Sequence, residues 1–249
     1  MYMRRLSLLA ILTLVLGACT RQGFQQPPFG GMKGQVQEVT VYHITPPDWR
    51  TGNGNDSLMF IIASAYDTEG NEICSVRMDS AGRIQSQAES MFENGVCIRS
   101  TNENGAHKVL GRLELVSHEK GLLVYDSYSG SKVSRMEVRE RKLFRKYRST
   151  VTNDGKVTMT SIIKTDAQGR PVSISSTDAS GKEIIEENVF SSNGDIIEKH
   201  VKTAGTTLDD ITRTEYTAFD DHGNWIEART YNKIRMAREI LRREIKYWP

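Results

Sequence analysis

The chain has 249 residues, with Lys+Arg 33 against Asp+Glu 31 and a formal net charge of +2. That near balance excludes a global electrostatic argument for a nucleic-acid partner or an acidic ligand. Hydrophobic residues make up 38% and charged residues 26%, a mixture that suits a sheet with one wet face.

In chain order, Arg4 and Arg5 precede Leu6 to Leu16, an apolar run interrupted only by Ser7 and Thr13. A mature spanning helix needs about 20 apolar residues. This run is shorter, and with its basic lead it fits the apolar core of a secretory signal. It ends in Leu16-Gly17-Ala18-Cys19, which resembles a lipobox, where a bacterial lipoprotein receives diacylglycerol on the cysteine before signal peptidase II cuts. The resemblance implies a signal peptide over 1–18 and acyl chains such as palmitate on Cys19. At about 0.8 kcal/mol per buried methylene, more than one chain gives stable membrane anchoring. Thr20, where inner-membrane retention signals place Asp, implies an outer-membrane lipoprotein. Thr20-Arg21-Gln22-Gly23-Phe24 holds no acid, unlike surface-exported lipoproteins of Bacteroidota, so a periplasmic-facing domain is expected over a surface-exposed one.

Removing the signal leaves about 231 residues, room for one large or two small domains. Gln22 to Gly31, with Pro27-Pro28 and Gly30-Gly31, reads as part of a tether over 19–32. A single domain is expected over 33–249. Val36, Val39, Val41 and Ile44 alternate with polar residues and predict a first strand over 35–44. Thr45 to Asp56, with Pro46-Pro47 and Gly52-Asn53-Gly54-Asn55-Asp56, reads as a long loop.

From Ser57 a repeat sets in. Its strict punctuation, Asp-x-x-Gly, falls at Asp67–Gly70, Asp79–Gly82, Asp166–Gly169, Asp178–Gly181 and Asp220–Gly223. Looser forms fall at Asn102–Gly105, Ser127–Gly130, Thr152–Gly155 and Ser191–Gly194. A spacing of about 12 residues is too short for helix pairs and suits a strand and a turn. An Asp at the first position of a type I turn accepts backbone N–H bonds, and a glycine three residues on takes the left-handed conformation that closes the hairpin. Between turns, Leu58-Phe60-Ile62, Val157-Met159-Ser161-Ile163 and Val172-Ile174 alternate as strands do. The expected fold is all-β: an antiparallel meander of about a dozen strands forming an extended, twisted or curled sheet.

Four segments carry a resemblance: Tyr66-Asp67-Thr68-Glu69-Gly70-Asn71, Met78-Asp79-Ser80-Ala81-Gly82-Arg83-Ile84, Thr165-Asp166-Ala167-Gln168-Gly169-Arg170 and Phe219-Asp220-Asp221-His222-Gly223-Asn224-Trp225. They resemble the YD (Rhs-type) repeat, in particular short lipoproteins of Bacteroidota with a few degenerate copies. Only Tyr66-Asp67 keeps the literal pair. The flanks, Met32 to Val39 and Arg243-Glu244-Ile245-Lys246-Tyr247, are similar too, so the likeness spans most of 33–248. It implies a repetitive β fold in the cell envelope with no assigned activity. Full Rhs proteins wind many repeats into a shell; here the copies are expected to be too few to close one.

No catalytic constellation stands out. His43, His107, His118, His200 and His222 show no metal-ligand spacing, and no metal or cofactor is expected. The Asp-x-x-Gly turns lack the alternating acids and terminal Glu of a calcium loop and read as turn caps. No Gly-x-Ser-x-Gly elbow occurs. Cys74 and Cys97 are expected two strands apart, about 10 Å, beyond disulfide reach, and so are expected to be unpaired apolar fillers. Arg135 to Arg148 and Ala228 to Lys246 are rich in Arg and Lys. They read as edge strands guarded against aggregation, or as a ridge facing anionic lipid or polysaccharide. The second stretch is expected to be a hairpin despite a helical spacing of Ile234, Ala237, Leu241 and Ile245. Trp225 reads as a packing anchor and Trp49, in the long loop, as a ligand contact. The expected function is non-enzymatic: a lipoprotein held to a membrane through Cys19 that binds or scaffolds an envelope partner through its sheet. The alternative is a surface glycan-binding lipoprotein of a nutrient-uptake system.

Overall fold

The computed structural model describes residues 31–46, 55–206, 209–232 and 236–249. These form the strands β1 (Val36–Thr45), β2 (Ser57–Tyr66), β3 (Glu72–Asp79), β4 (Ile84–Glu93), β5 (Val96–Asn104), β6 (Val109–Glu119), β7 (Leu122–Ser129), β8 (Lys132–Leu143), β9 (Lys146–Asn153), β10 (Lys156–Thr165), β11 (Pro171–Asp178), β12 (Glu183–Phe190), β13 (Ile196–Thr203), β14 (Asp209–Phe219), β15 (Trp225–Tyr231) and β16 (Ala237–Tyr247). Each strand pairs antiparallel with its sequence neighbour, and β16 pairs with β1, so the sheet closes into a barrel. The sheet is all-β and a meander, as the sequence predicts, but it is neither open nor limited to about a dozen strands. The closing seam runs through Val39↔Ile245, Val41↔Arg243 and Ile44↔Ile240. The two flanking segments thus complete the shell that the repeats were expected to be too few to close.

Closure also corrects the reading of the basic stretches. Arg135 to Arg148 lies in the β8–β9 hairpin, paired on both sides. Much of the second stretch lies in β15 and β16, the latter bonded to both β15 and β1. A closed barrel has no edge to guard. The expected hairpin is present, with β16 extended despite its helical spacing.

Side-chain direction alternates along every strand, and the two faces differ in kind. The fully covered side chains Val36, Cys97, Tyr125, Val138 and Ala228 all share one face by register. The outside of a closed barrel is open to solvent, so this face points inward. It is rich in small hydroxyls that bond across neighbouring strands: Ser64–Ser75 at 3.4 Å, Ser90–Ser100 at 3.2 Å and Ser161–Ser176 at 3.0 Å. Cys97, Leu113, Leu123, Tyr125, Met136, Val138 and Val151 form an inward apolar cluster across β5 to β9. The Tyr125 hydroxyl donates to the Cys97 carbonyl at 3.2 Å, satisfying its buried polar end.

The inward face holds an ion pair, Glu186–Lys199 at 2.8 Å, and the outward face is rich in charge. One row runs Arg99↔Glu114↔Asp126↔Arg135 over adjacent strands, and opposite charges meet elsewhere as Glu198–Arg213 at 2.7 Å, Glu227–Arg242 at 3.1 Å and Glu38–Lys246 at 2.5 Å. Along β8 the outward Val133, Arg135, Arg139 and Arg141 are exposed while the inward Met136 and Val138 are buried.

Cys74 and Cys97 fall on opposite faces. An extra residue in β5 at Ile98 turns Cys97 inward against Phe92, while Cys74 stands outward opposite Glu89. Cys74 is a free thiol, so no bridge joins the two, but Cys97 is disulfide-bonded, against the expectation that both are unpaired. Burial, and then the Glu89 carboxylate, push its pKa up.

Candidate functional site

The punctuating aspartates all make the same local bond. Asp67, Asp79, Asp166, Asp178 and Asp220 each use Oδ1 to accept the backbone N–H two and four residues on, at 2.8–3.0 Å. The glycines Gly70, Gly82, Gly169, Gly181 and Gly223 sit at φ between 77° and 86°, the left-handed region such hairpins need. These carboxylates are occupied by backbone and are structural.

The last of these turns does more. Its Asn224 is buried and holds the segment entering β1: the Lys33 N–H donates to Asn224 Oδ1 at 2.7 Å, and Asn224 Nδ2 donates to the Lys33 carbonyl at 2.8 Å and the Tyr247 hydroxyl at 2.7 Å. Tyr247 in turn donates to Asp220. His222 stacks on Tyr247 with ring centroids 3.9 Å apart. Met32, assigned to the tether, packs against the cluster of Val36, Val39 and Tyr66, so the barrel begins a little earlier than the composition suggests. Beside this clamp, the Arg243 guanidinium lies 3.4 Å over the Trp225 ring and its Nε donates to the Trp225 carbonyl at 2.9 Å. Burial lowers the Arg243 pKa to about 10, against the pull of Asp195, Tyr216, Tyr66 and Asp220. Tyr216, 5.6 Å from Trp225, donates to the Ile196 carbonyl at 2.8 Å; burial and then Asp195 push its own pKa up to about 12. Trp225 therefore stands within a packed end of the barrel.

An outward cleft of about 540 Å³ crosses β4 to β7 and is lined by Glu89, Met91, Arg99, Thr101, Glu103, Val109, Arg112, Tyr128 and Gly130. Its volume is that of a small-ligand site. The Arg112 guanidinium stacks on Tyr128, 4.3 Å from the ring centre, and sits 3.3 Å from Glu114. Gln87 donates to Glu89 at 2.6 Å, and Glu103 faces His107 at 3.6 Å. Two carboxylates, two guanidiniums and a hydroxyl beside an aromatic ring offer donors and acceptors in balance. That chemistry suits a polar ligand without strong net charge. No sequence signal marks this cleft, because its residues are ordinary in type and come from alternate positions on separate strands.

Two further histidines are locally engaged. His43 lies 2.6 Å from Glu239 and stacks on Phe60 at 4.0 Å; His200 lies 2.6 Å from Glu198. Among the described residues no group of three His, Cys, Asp or Glu is placed to hold a metal ion. Cys19, Leu16, Gly17, Ala18 and Trp49 lie outside the described residues.

No protein-family model and no curated protein matches the chain. Among solved structures, the barrel is similar to a porin-like protein from Bacteroides uniformis ATCC 8492, with TM-score 0.52 and 11% identity over 86% of this chain and 99% of that one. A porin-like protein from Bacteroides vulgatus ATCC 8482 gives TM-score 0.47 and 10% identity over 86% of this chain and 99% of that one. At such identities the likeness is one of fold.

Proposed function

We propose that the chain is a non-enzymatic cell-envelope lipoprotein whose barrel stands in water beside the outer membrane, tethered through lipid on Cys19 and facing the periplasm, and binds or scaffolds a partner through its outer surface. The observation that carries this reading is the polarity of the outward face. Arg99, Arg139, Arg213, Arg229 and Arg242 all point outward on this barrel. An outward Arg costs about 2–4 kcal/mol at a bilayer midplane, so five near that depth would cost roughly 10–20 kcal/mol. A barrel that spans lipid puts apolar side chains outward; here these arginines stand outward instead, among outward carboxylates such as Glu114, Glu198 and Glu227. The engaged carboxylates of the cleft and turns support a structural rather than catalytic use of the acids. The degenerate YD-type repeats fit the same reading, since they supply turns and strands and no reactive group.

The test is accessibility. Thr150 and Thr160 are outward partners on β9 and β10. Each is replaced by Cys in a Cys74→Ser background, in the membrane-anchored protein after the outer membrane is permeabilised. A membrane-impermeant maleimide is expected to label both fully. Protection of both by the bilayer would overturn the reading in favour of a lipid-embedded barrel.

The Arg112–Tyr128 platform favours one second reading, a glycan-binding lipoprotein. A glycan array with wild-type protein and Tyr128→Ala tests it: binding lost in the variant supports it, and no binding by wild type removes it.

A further inference from the structure

The β8–β9 hairpin breaks the pattern of the rest of the barrel in three ways. Its tip carries the most exposed large hydrophobics among the described residues, Leu143 at 67% and Phe144 at 83%. Phe144 adopts φ 52°, a left-handed conformation that a bulky residue rarely takes. At the tight turns Asn94-Gly95 and Asp154-Gly155 a similar left-handed φ, 50° and 48°, falls on Asn and Asp. An aromatic ring is thus held out in solvent on a strained backbone where a polar turn residue would serve the fold better, and such an outlier points to function. Finally, Arg139, Arg141, Lys142, Arg145, Lys146 and Arg148 surround the tip. The ion pairs that neutralise Arg99, Arg135, Arg213 and Arg242 have no counterpart at these six among the described residues.

We infer that this tip is a membrane-docking element that inserts Leu143 and Phe144 among the acyl chains of a bilayer while the surrounding cations meet anionic phospholipid headgroups. Charge complementarity argues for the occupant: cations without acidic partners, ringing a short apolar tip, match the acyl-to-headgroup boundary of an anionic bilayer. Place in the fold argues for it too. The meander alternates direction, so the end of β8 lies at the barrel end where β1 begins and β16 finishes. Lys33, ahead of β1, is held at that same end by Asn224. The inference draws on the tethered reading only for proximity, because the apolar tip and its cations stand independently of acylation.

The experiment uses the full chain reconstituted into phosphatidylcholine vesicles with or without phosphatidylglycerol. Phe144→Trp adds an indole reporter at the tip, and the difference from wild-type emission isolates it from Trp49, Trp225 and Trp248. Circular dichroism confirms that the variant keeps the wild-type fold. Brominated acyl chains are expected to quench the tip indole only when phosphatidylglycerol is present. Replacing Arg141, Lys142, Arg145 and Lys146 by Gln is expected to reduce the inserted fraction on the order of tenfold or more, since each cation near an anionic surface contributes about 1 kcal/mol. A tip indole left unquenched by bromolipid and open to acrylamide on both vesicles would overturn the inference, as would equal quenching on neutral vesicles. Anchoring is read separately, by vesicle flotation and the mass of the Cys19 peptide. An unacylated chain with lipid-dependent quenching sinks the lipoprotein reading and keeps the tip. An acylated chain whose tip indole stays unquenched does the reverse.

Discussion

Asn224→Ala tests how the barrel is closed. The side chain is 5% exposed and makes three hydrogen bonds, to Lys33 N, Lys33 O and the Tyr247 hydroxyl, at 2.7–2.8 Å. It joins the turn before β15 to both the entry of β1 and the end of β16, the strands of the closing seam. A neutral hydrogen bond contributes about 1 kcal/mol net, so the substitution is expected to destabilise by about 3 kcal/mol, and by more where the Lys33 groups stay buried without a partner. For a domain of this size that lowers the melting temperature by roughly 6–12 °C. Asn224→Asp keeps the acceptor for the Lys33 N–H but turns a second oxygen on the Lys33 carbonyl, so it is expected to be at least as damaging. His222→Ala, which removes only the stacked ring on Tyr247, is expected to cost about 0.5–1.5 kcal/mol. Thermal melts give the magnitudes, and native-state hydrogen exchange gives the place. The Lys33 amide should lose its protection in Asn224→Ala before the amides of β4 to β9 lose theirs. A variant that melts with wild type and keeps the Lys33 amide protected would refute the clamp.

Two further predictions concern the turns and the core. The carboxyls of Asp79 and Asp178 are held below the usual range, Asp79 chiefly by the Arg83 backbone N–H and Asp178 chiefly by the Ser180 hydroxyl. In Asp166 and Asp220, burial pushes upward but hydrogen bonds from Arg170 and Tyr247 prevail. With folded pKa values below unfolded ones, these groups stabilise the fold above the unfolded value of about 3.9, and that contribution is lost as pH falls through the folded values. Urea midpoints measured against pH are expected to drop in that acid window, and less steeply in Asp79→Asn with Asp178→Asn; equal slopes would refute the assignment. In the core, Tyr125→Phe removes the bond to the Cys97 carbonyl and is expected to cost about 1 kcal/mol. Tyr125→Ala opens a cavity costing roughly 3–5 kcal/mol, and equal urea midpoints for the two variants would refute the packing.

What the sequence made legible follows from where its signals are local. Asp-x-x-Gly turns are local, because the acceptor, the donors and the left-handed glycine lie within a few residues; the hairpins at Asp67, Asp79, Asp166, Asp178 and Asp220 could be located on that ground. The strand count fell short where turns carry no such signature. The intervals from Gly105 to Gly130 and from Gly130 to Gly155 each span about two periods, but the turns inside them, at Lys120-Gly121 and Phe144-Arg145, lack the Asp-x-x-Gly pattern. Closure was not legible because the β1–β16 pairing joins residues about 200 positions apart, and a sheet edge looks the same in sequence whether it stays open or finds its partner. The cleft at Tyr128 was hidden for a related reason: a row across four strands has no sequence spacing of its own.

The same architecture can serve two solvents, and the choice lies in which face takes the charge. A strand that alternates small or apolar with charged residues is compatible with a pore wall in lipid or with a barrel in water, because shifting every side chain to the other face exchanges the two. In this chain the shift is fixed by bulges and by pairing. Ser100, Leu113, Ser127 and Ser134 follow one another inward from strand to strand, while Arg99, Glu114, Asp126 and Arg135 follow one another outward. Reversing that order would bury a row of ions against the apolar cluster around Tyr125, where each unpaired charge is several times more costly than a turn or a hydrogen bond can repay. The outward charge is therefore a property of the whole register rather than of single residues. The hairpin of Leu143 and Phe144 departs from that register's logic at the end where the chain enters the barrel, and it is there that contact with lipid is best sought.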